Sequence, residues 1–161
     1  MPTVLGLISD KLPIHESIKQ EIMDAAYSLK SYNRYPASIC DIIDDEINIG
    51  WQFPDLNTEV YRLFTKHFDY SIIGLHHWIN KYPPGGFQEP HIHKRGNDKI
   101  IAFVYFVNIP DNSGNLIINN HNCDMTEGTV CFFDGNLEHE VTENKSSHDR
   151  ITIAGNIVVK L

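Results

Sequence analysis

From Tyr70 onward the chain changes its period, and that change limits the folds open to it more than any other feature. Short apolar runs rich in β-branched and aromatic residues follow one another at 70–79, 99–107, 116–118, 129–133, 138–142 and 150–160. Turn-forming residues separate them at 83–86, 110–114, 127–128, 134–136 and 144–147. Short, regularly spaced strands with such punctuation predict a sandwich or barrel. Upstream the period is helical. Ile18, Ile22, Ala25, Ala26 and Leu29 form an apolar stripe over Glu16, Lys19, Gln20 and Asp24, predicting a helix over 14–31. Val60, Leu63 and Phe64 mark a second helix over 56–67, and residues 1–12 read as a short strand and turn. Residues 33–55 are turn-rich, with Pro36, Gly50 and Pro54, and the acidic run 41–46 reads as a solvated loop or helix end. The expectation is a single domain over 1–161, mainly β with supporting α: a helical support region over 1–69 and a β-barrel core over 70–161.

Composition narrows the partners. A net charge of −8 argues against nucleic acid, whose phosphates call for clustered Lys and Arg. No apolar run reaches membrane-spanning length. The opening MPTVLGLISDKLP lacks the charged and apolar regions of a secretory signal. Cys40, Cys123 and Cys131 are odd in number and widely spaced, which suits a reducing cytoplasm better than a disulfide framework. A cytoplasmic protein with no membrane partner is expected.

Chemistry concentrates at Glu89-Pro90-His91-Ile92-His93, after the turn Pro83-Pro84-Gly85-Gly86. Residues i and i+2 of an extended strand share a face, so His91 and His93 would present two imidazoles side by side. That pair is the start of a site for a first-row transition metal. His139, in Phe132-Phe133-Asp134-Gly135-Asn136-Leu137-Glu138-His139, is the candidate third ligand. With nine histidines in the chain, a chance His-x-His on a solvated strand is the competing reading. Of the other histidines, His76 and His77 lie on opposite faces of one strand, so at most one faces the interior. His15, His67, His121 and His148, near turns or helix ends, read as solvated.

Residues 76–158 resemble the iron(II)/2-oxoglutarate-dependent oxygenases, especially the small phage- and bacterial-type group related to prolyl 4-hydroxylases. The resemblance runs through Trp78-Ile79-Asn80, Pro90-His91-Ile92-His93, Phe103-Val104-Tyr105-Phe106-Val107, Asp111-Asn112-Ser113-Gly114-Asn115-Leu116, Gly128-Thr129-Val130-Cys131-Phe132-Phe133 with His139-Glu140-Val141, and Arg150-Ile151-Thr152. It implies a double-stranded β-helix (jelly roll), with Fe(II), 2-oxoglutarate and O2 as cofactor and cosubstrates, succinate and CO2 as products, and usually a hydroxylated substrate. Arg150-Ile151-Thr152, eleven residues beyond His139, is similar to the Arg-x-Ser/Thr that binds the C5 carboxylate of 2-oxoglutarate. A planar guanidinium suits that carboxylate, and the hydroxyl two residues on shares its face of the strand. Tyr105 is a candidate to add its phenol there, with a core aromatic as the other reading, and Asn80 and Tyr82 are candidates to line the pocket. The substrate implied is a peptide side chain, prolyl among the possibilities, or a small molecule.

One departure stands out. The family's usual triad is His-x-Asp/Glu with a distant His, whereas here position 93 is an imidazole. Either three neutral ligands leave the metal its full charge for a dianionic cosubstrate to offset, or Glu89 or Asp98 supplies the carboxylate. Lys94, Arg95 and Lys99 beside the site suggest a funnel for an anionic ligand, or an ordinary solvated loop. Two other readings of the His spacing are a cupin-type three-histidine dioxygenase and a metal-free ligand-binding barrel. Against the cupin, no glutamate follows the His pair, and Asp134 and Asn136 replace the expected Pro and Gly. Arg150-Ile151-Thr152 separates the oxygenase from both.

Overall fold

A computed structural model of the protein describes residues 8–123 and 126–160. The elements are β1 (Ile8–Lys11), α1 (His15–Ser28), β2 (Asp41–Ile43), α2 (Pro54–His67), β3 (Ser71–Tyr82), β4 (Gln88–His91), β5 (Lys99–Asn108), β6 (Leu116–Ile118), β7 (His121–Asn122), β8 (Thr129–Asp134), β9 (His139–Val141) and β10 (Arg150–Lys160). Two antiparallel sheets result: a major one in the order β1-β8-β5-β10-β3-β2 and a minor one in the order β4-β9-β6-β7. This is a double-stranded β-helix with two helices, as expected. Of the strand expected within 1–12, only 8–11 falls among the described residues.

Each helix forms for local reasons and is then held by what it buries. α2 opens on Pro54, whose fixed φ suits a first helical turn and whose missing N–H costs nothing there. Asp55 in its first turn and Lys66 and His67 in its last complement the helix dipole. Lys66 and His67 also meet Asp10 of β1 at 2.8 and 3.0 Å, holding that carboxyl down at about 2. The buried stripe of α1 (Ile18, Ile22, Ala26) and that of α2 (Leu56, Val60, Leu63, Phe64) pack on one face of the major sheet, against Ile79, Ile101, Phe103, Val130, Phe132, Ile153 and Ile157. Truncating a ring such as Phe64, fully buried, to Ala would cost about 3–5 kcal/mol.

The other face of the major sheet looks into the barrel, and register decides which side chains reach it. Residues directly opposite across antiparallel strands share a face. Tyr82 faces Arg150; Asn80 faces Thr152, which faces Phe106; Trp78 faces Ala154, which faces Val104; His76 faces Asn156, which faces Ala102. The first three of these rows line the barrel interior, whereas the His76 side chain, in the fourth, is 44% exposed beside Asp45. The intervening row Ile79, Ile153, Tyr105 and Val130 lies on the helix face.

Three local expectations are corrected here. The run 41–46 is not a solvated loop: Asp41 opens β2, Ile42 and Ile43 are buried, and Asp44 is buried beneath Tyr32 and Arg34. His15, expected in solvent, is only 8% exposed, with Nδ1 2.5 Å from the Tyr105 hydroxyl and Nε2 3.3 Å from Glu127. It sits against Gly128, where a Cβ would lie 3.1 Å from the imidazole. His67 is half-buried by its contact with Asp10, while His121 and His148 are exposed. Cys40, Cys123 and Cys131 are all buried. No helix among the described residues is long and apolar enough to cross a membrane.

Candidate active site

Pairing of β4 with β9 places His91 directly opposite His139. Their ring centroids are 4.2 Å apart. β4 ends at His91, but the chain stays extended, with the His93 amide donating to the Gly135 carbonyl at 2.8 Å. His93 therefore returns to the same face, its ring 4.7 Å from His139 and stacked 5.8 Å from Trp78 of β3. One nitrogen from each of the three rings lies within 4.8 Å of the other two, and no other group of three potential ligands converges among the described residues.

The tautomers follow from the partners. His91 Nδ1 meets the Glu89 carbonyl at 2.8 Å and His139 Nδ1 meets the Leu137 carbonyl at 3.0 Å. A carbonyl only accepts, so both Nδ1 atoms carry the proton and each Nε2 keeps its lone pair. His93 Nδ1 faces the Asn156 Oδ1 in the same way. His93 Nε2 and His139 Nε2 then stand 3.0 Å apart with lone pairs facing each other. Burial holds His91 below the ordinary imidazole range. It takes His93 down to about 4 and His139, helped by the two neighbouring imidazoles, down to about 3. At neutral pH the set is uncharged, which is the ligating form. Facing lone pairs repel unless a cation stands between them, so the donor set fits a divalent first-row metal.

The two carboxylate alternatives lie outside this convergence. Asp98 is exposed and 3.7 Å from Arg95, and Glu89 contributes its backbone, not its carboxylate, to the converging set. Of the expected basic funnel, Arg95 and Lys99 have carboxylate partners, while Lys94 is exposed and has none among the described residues. Lys99 is bonded to Asp134 and Arg95 pairs with Asp98, while Arg34, nearby over the Trp78 ring, is paired with Asp44 and Glu46.

Deeper between the sheets, a narrow pocket is lined by the three histidines together with Asn80, Arg150 and Thr152. Arg150 is 0% exposed, with its guanidinium over the Phe106 ring and one nitrogen donating to the Gly114 carbonyl at 2.8 Å. Glycine is required at 114 by its φ of +91° and by its close approach to Thr142, whose carbonyl oxygen would lie 2.2 Å from a Cβ. Asn80 is 3% exposed and its Oδ1 has no hydrogen-bond partner. Tyr82 lines the same space and donates to Gln88 at 3.0 Å. Trp78, Val104, Leu116, Phe133 and Ala154 make the remaining walls apolar.

Tyr105 is not among these residues. Its hydroxyl lies on the helix face with His15, and Phe106, one position on, occupies the interior row. Alternation along β5 makes the two mutually exclusive. Of the two adjacent histidines, His77 is the one turned to the helices, bonded to Asn57 at 2.8 Å. Asn156, Gln88 and Tyr35, whose ring is 5.0 Å from His91, were not anticipated. Asn156 had a usable signal, because it lies at an even offset from Arg150 and Thr152 on one strand.

The family model of the 2OG-Fe(II) oxygenase superfamily matches residues 77–158, and the chain belongs to that superfamily. It is thus a 2-oxoglutarate-dependent oxygenase, of a family that uses Fe(II), 2-oxoglutarate and O2. No curated protein matches the sequence. Among solved structures, a prolyl-4-hydroxylase from Pseudomonas putida is similar with a TM-score of 0.70 at 19% identity, covering 98% of this chain and 94% of that one. A prolyl hydroxylase from Trichoplax adhaerens, in complex with a hypoxia inducible factor oxygen degradation domain peptide fragment, gives 0.74 at 17%, covering 96% and 84%. A viral collagen prolyl hydroxylase from Paramecium Bursaria Chlorella virus-1, in a 2OG complex, gives 0.61 at 14%, covering 96% of each. At these identities the likeness speaks for the fold.

Proposed function

We propose that the protein hydroxylates a peptide side chain, prolyl among the candidates. In this reading His91, His93 and His139 hold Fe(II), while Arg150, Thr152 and Asn80 receive 2-oxoglutarate. The observation that carries it is that three uncharged imidazoles and one buried arginine line the same pocket. When bound, iron with 2-oxoglutarate and O2 supplies the oxidative decarboxylation that gives succinate and CO2 and transfers one oxygen atom to the substrate. The residues of the chain do the rest. Arg150 offers a planar fork to the far carboxylate of the cosubstrate, and Thr152 adds a hydroxyl from the same face. A dianionic cosubstrate brings only acceptors, so Asn80 would serve it as a donor through its side-chain NH2. The three neutral ligands leave both charges of the ion to be offset, which a dianionic cosubstrate does. The apolar walls exclude water, which strengthens each polar contact inside.

A peptide substrate is supported by the shape and charge of the opening. Tyr35 and Trp78 flank the histidines, and the nearby cations Arg34, Arg95 and Lys99 each have a carboxylate partner. The two aromatic rings suit contact with a ring or aliphatic side chain of the substrate. The Trichoplax neighbour was solved with a peptide. The cupin reading rested on the same histidine spacing and loses its ground with the family match.

Anaerobic titration of the Fe(II) protein with 2-oxoglutarate tests the reading, with a visible metal-to-ligand charge-transfer band as the expected result. A parent protein that binds Fe(II) but gives no band overturns the cosubstrate assignment. Mass spectrometry of proline-containing peptides, with and without 2-oxoglutarate, then tests the substrate class.

A further inference from the structure

Two of the three imidazoles take their orientation from their own strand. The Nδ1 atoms of His91 and His139 each meet the carbonyl of the residue two positions earlier, Glu89 and Leu137. His93 does not use that device. Its Nδ1 faces the Oδ1 of Asn156, which comes from β10, far away in sequence. Asn156 is itself fixed, its backbone paired between His76 of β3 and Ala102 of β5.

We infer that Asn156 is the positioning residue that makes His93 a metal ligand, by accepting its Nδ1 proton and so presenting the Nε2 lone pair to the cavity. The inference rests on the proposed ligand role of His91, His93 and His139. Its logic lies in what an imidazole needs and a carboxylate does not. A carboxylate at position 93 would offer two equivalent oxygens, either one a ligand. An imidazole has two different nitrogens, and with the wrong one protonated it points an N–H at the cation. Trp78, stacked at 23° against the ring, restricts its plane but leaves the two nitrogens undistinguished. Asn156 distinguishes them. The imidazole at 93 and the amide at 156 thus form one unit, the second compensating for the first.

The test is a cycle of anaerobic competition titrations with Co(II) and with Fe(II), read by metal affinity and by the Co(II) d–d spectrum. In the parent background, Asn156→Leu removes the acceptor and is expected to weaken binding by about 10- to 100-fold. Asn156→Asp still accepts and is expected to hold affinity at or above the parental level. In a His93→Asp background, where no tautomer has to be chosen, Asn156→Leu should leave affinity within about twofold of His93→Asp alone. Asn156→Ala serves as a second non-accepting variant, and thermal unfolding of each metal-free protein reports its fold. Undiminished affinity in Asn156→Leu and Asn156→Ala overturns the inference, as does an equal loss in both backgrounds. His91→Ala separates this from the reading beneath it. If His91→Ala binds Co(II) as the parent does, the ligand assignment itself fails. If it loses the metal while the Asn156 variants keep it, only the positioning role fails.

Discussion

His93 Nε2 and His139 Nε2 lie 3.0 Å apart although the Nδ1 proton of each ring is committed elsewhere, one to Asn156 and one to the Leu137 carbonyl. Two lone pairs at that separation form a repulsive contact in the metal-free protein and a chelating one around a cation. The arrangement therefore carries a stability consequence. Saturating Fe(II), added without oxygen at about a hundred times its Kd, should stabilise the fold by about 2.7 kcal/mol. For a chain of this length that is a rise in Tm of roughly 5–10 °C. A chelator should reverse it, and differential scanning fluorimetry reads both. His139→Ala should abolish the rise, whereas Asp98→Asn and Glu89→Gln should keep it.

Arg150 is expected to act on the cosubstrate and not on the metal. Losing a charge-assisted contact of about 1.5–3 kcal/mol corresponds to roughly ten- to hundredfold weaker 2-oxoglutarate binding in Arg150→Ala. Arg150→Lys should recover only part, because an ammonium cannot reproduce the planar fork. Isothermal titration with 2-oxoglutarate and, separately, with Co(II) checks the division. Equal cosubstrate affinity in Arg150→Ala and the parent would rule the anchor out.

Tyr105→Phe separates the two faces of β5. With the hydroxyl on His15, its removal should leave 2-oxoglutarate affinity unchanged. It should also destabilise the fold by about 1–3 kcal/mol, because a buried ring nitrogen loses its partner. Chemical denaturation with a parallel cosubstrate titration measures both. A tenfold loss of cosubstrate affinity with unchanged stability would put the phenol in the site instead.

His77 sets part of the acid response. It is 5% exposed, and burial, chiefly, takes it down to about 4. Below its ordinary pKa of about 6.5 the unfolded chain takes up a proton that the folded chain refuses, so stability is level above that pH and falls between about 6.5 and 4. The full loss from this group is of the order of 3 kcal/mol. Urea unfolding at pH 7, 5.5 and 4.5 should show a shallower decline in His77→Gln than in the parent.

The strands of the barrel were legible because their side chains obey a local rule. The runs 99–107, 116–118, 129–133 and 150–160 alternate or are wholly apolar, are bounded by turn formers, and form strands almost residue for residue. The same rule made His91 and His93 a pair on one face, and the order of motifs placed Arg150 and Thr152 beside it. Both helices were legible too, their stripes having only a sheet face to bury against. β2 was not, since three residues at the edge of a sheet carry too little pattern to outweigh the acidic run around them.

What tertiary structure alone decided is which of two faces each strand turns inward, and who meets whom across the sheets. Alternation says that Tyr105 and Phe106 part company but not which of them enters the barrel; the helices covering the Tyr105 face settle that. His15 reads as solvated at a helix start and is buried, because its partners Tyr105 and Glu127 lie about a hundred positions away in sequence. Glu89 and Asp98 had the chemistry of a ligand from sequence and lack the position. Asn156 shared a strand face with Arg150 and Thr152, but only the fold brought its amide to His93. Local patterning fixes which residues share a strand and face, whereas the convergence of the three imidazoles depends on sequence-distant contacts that exist only once the two sheets have closed on each other.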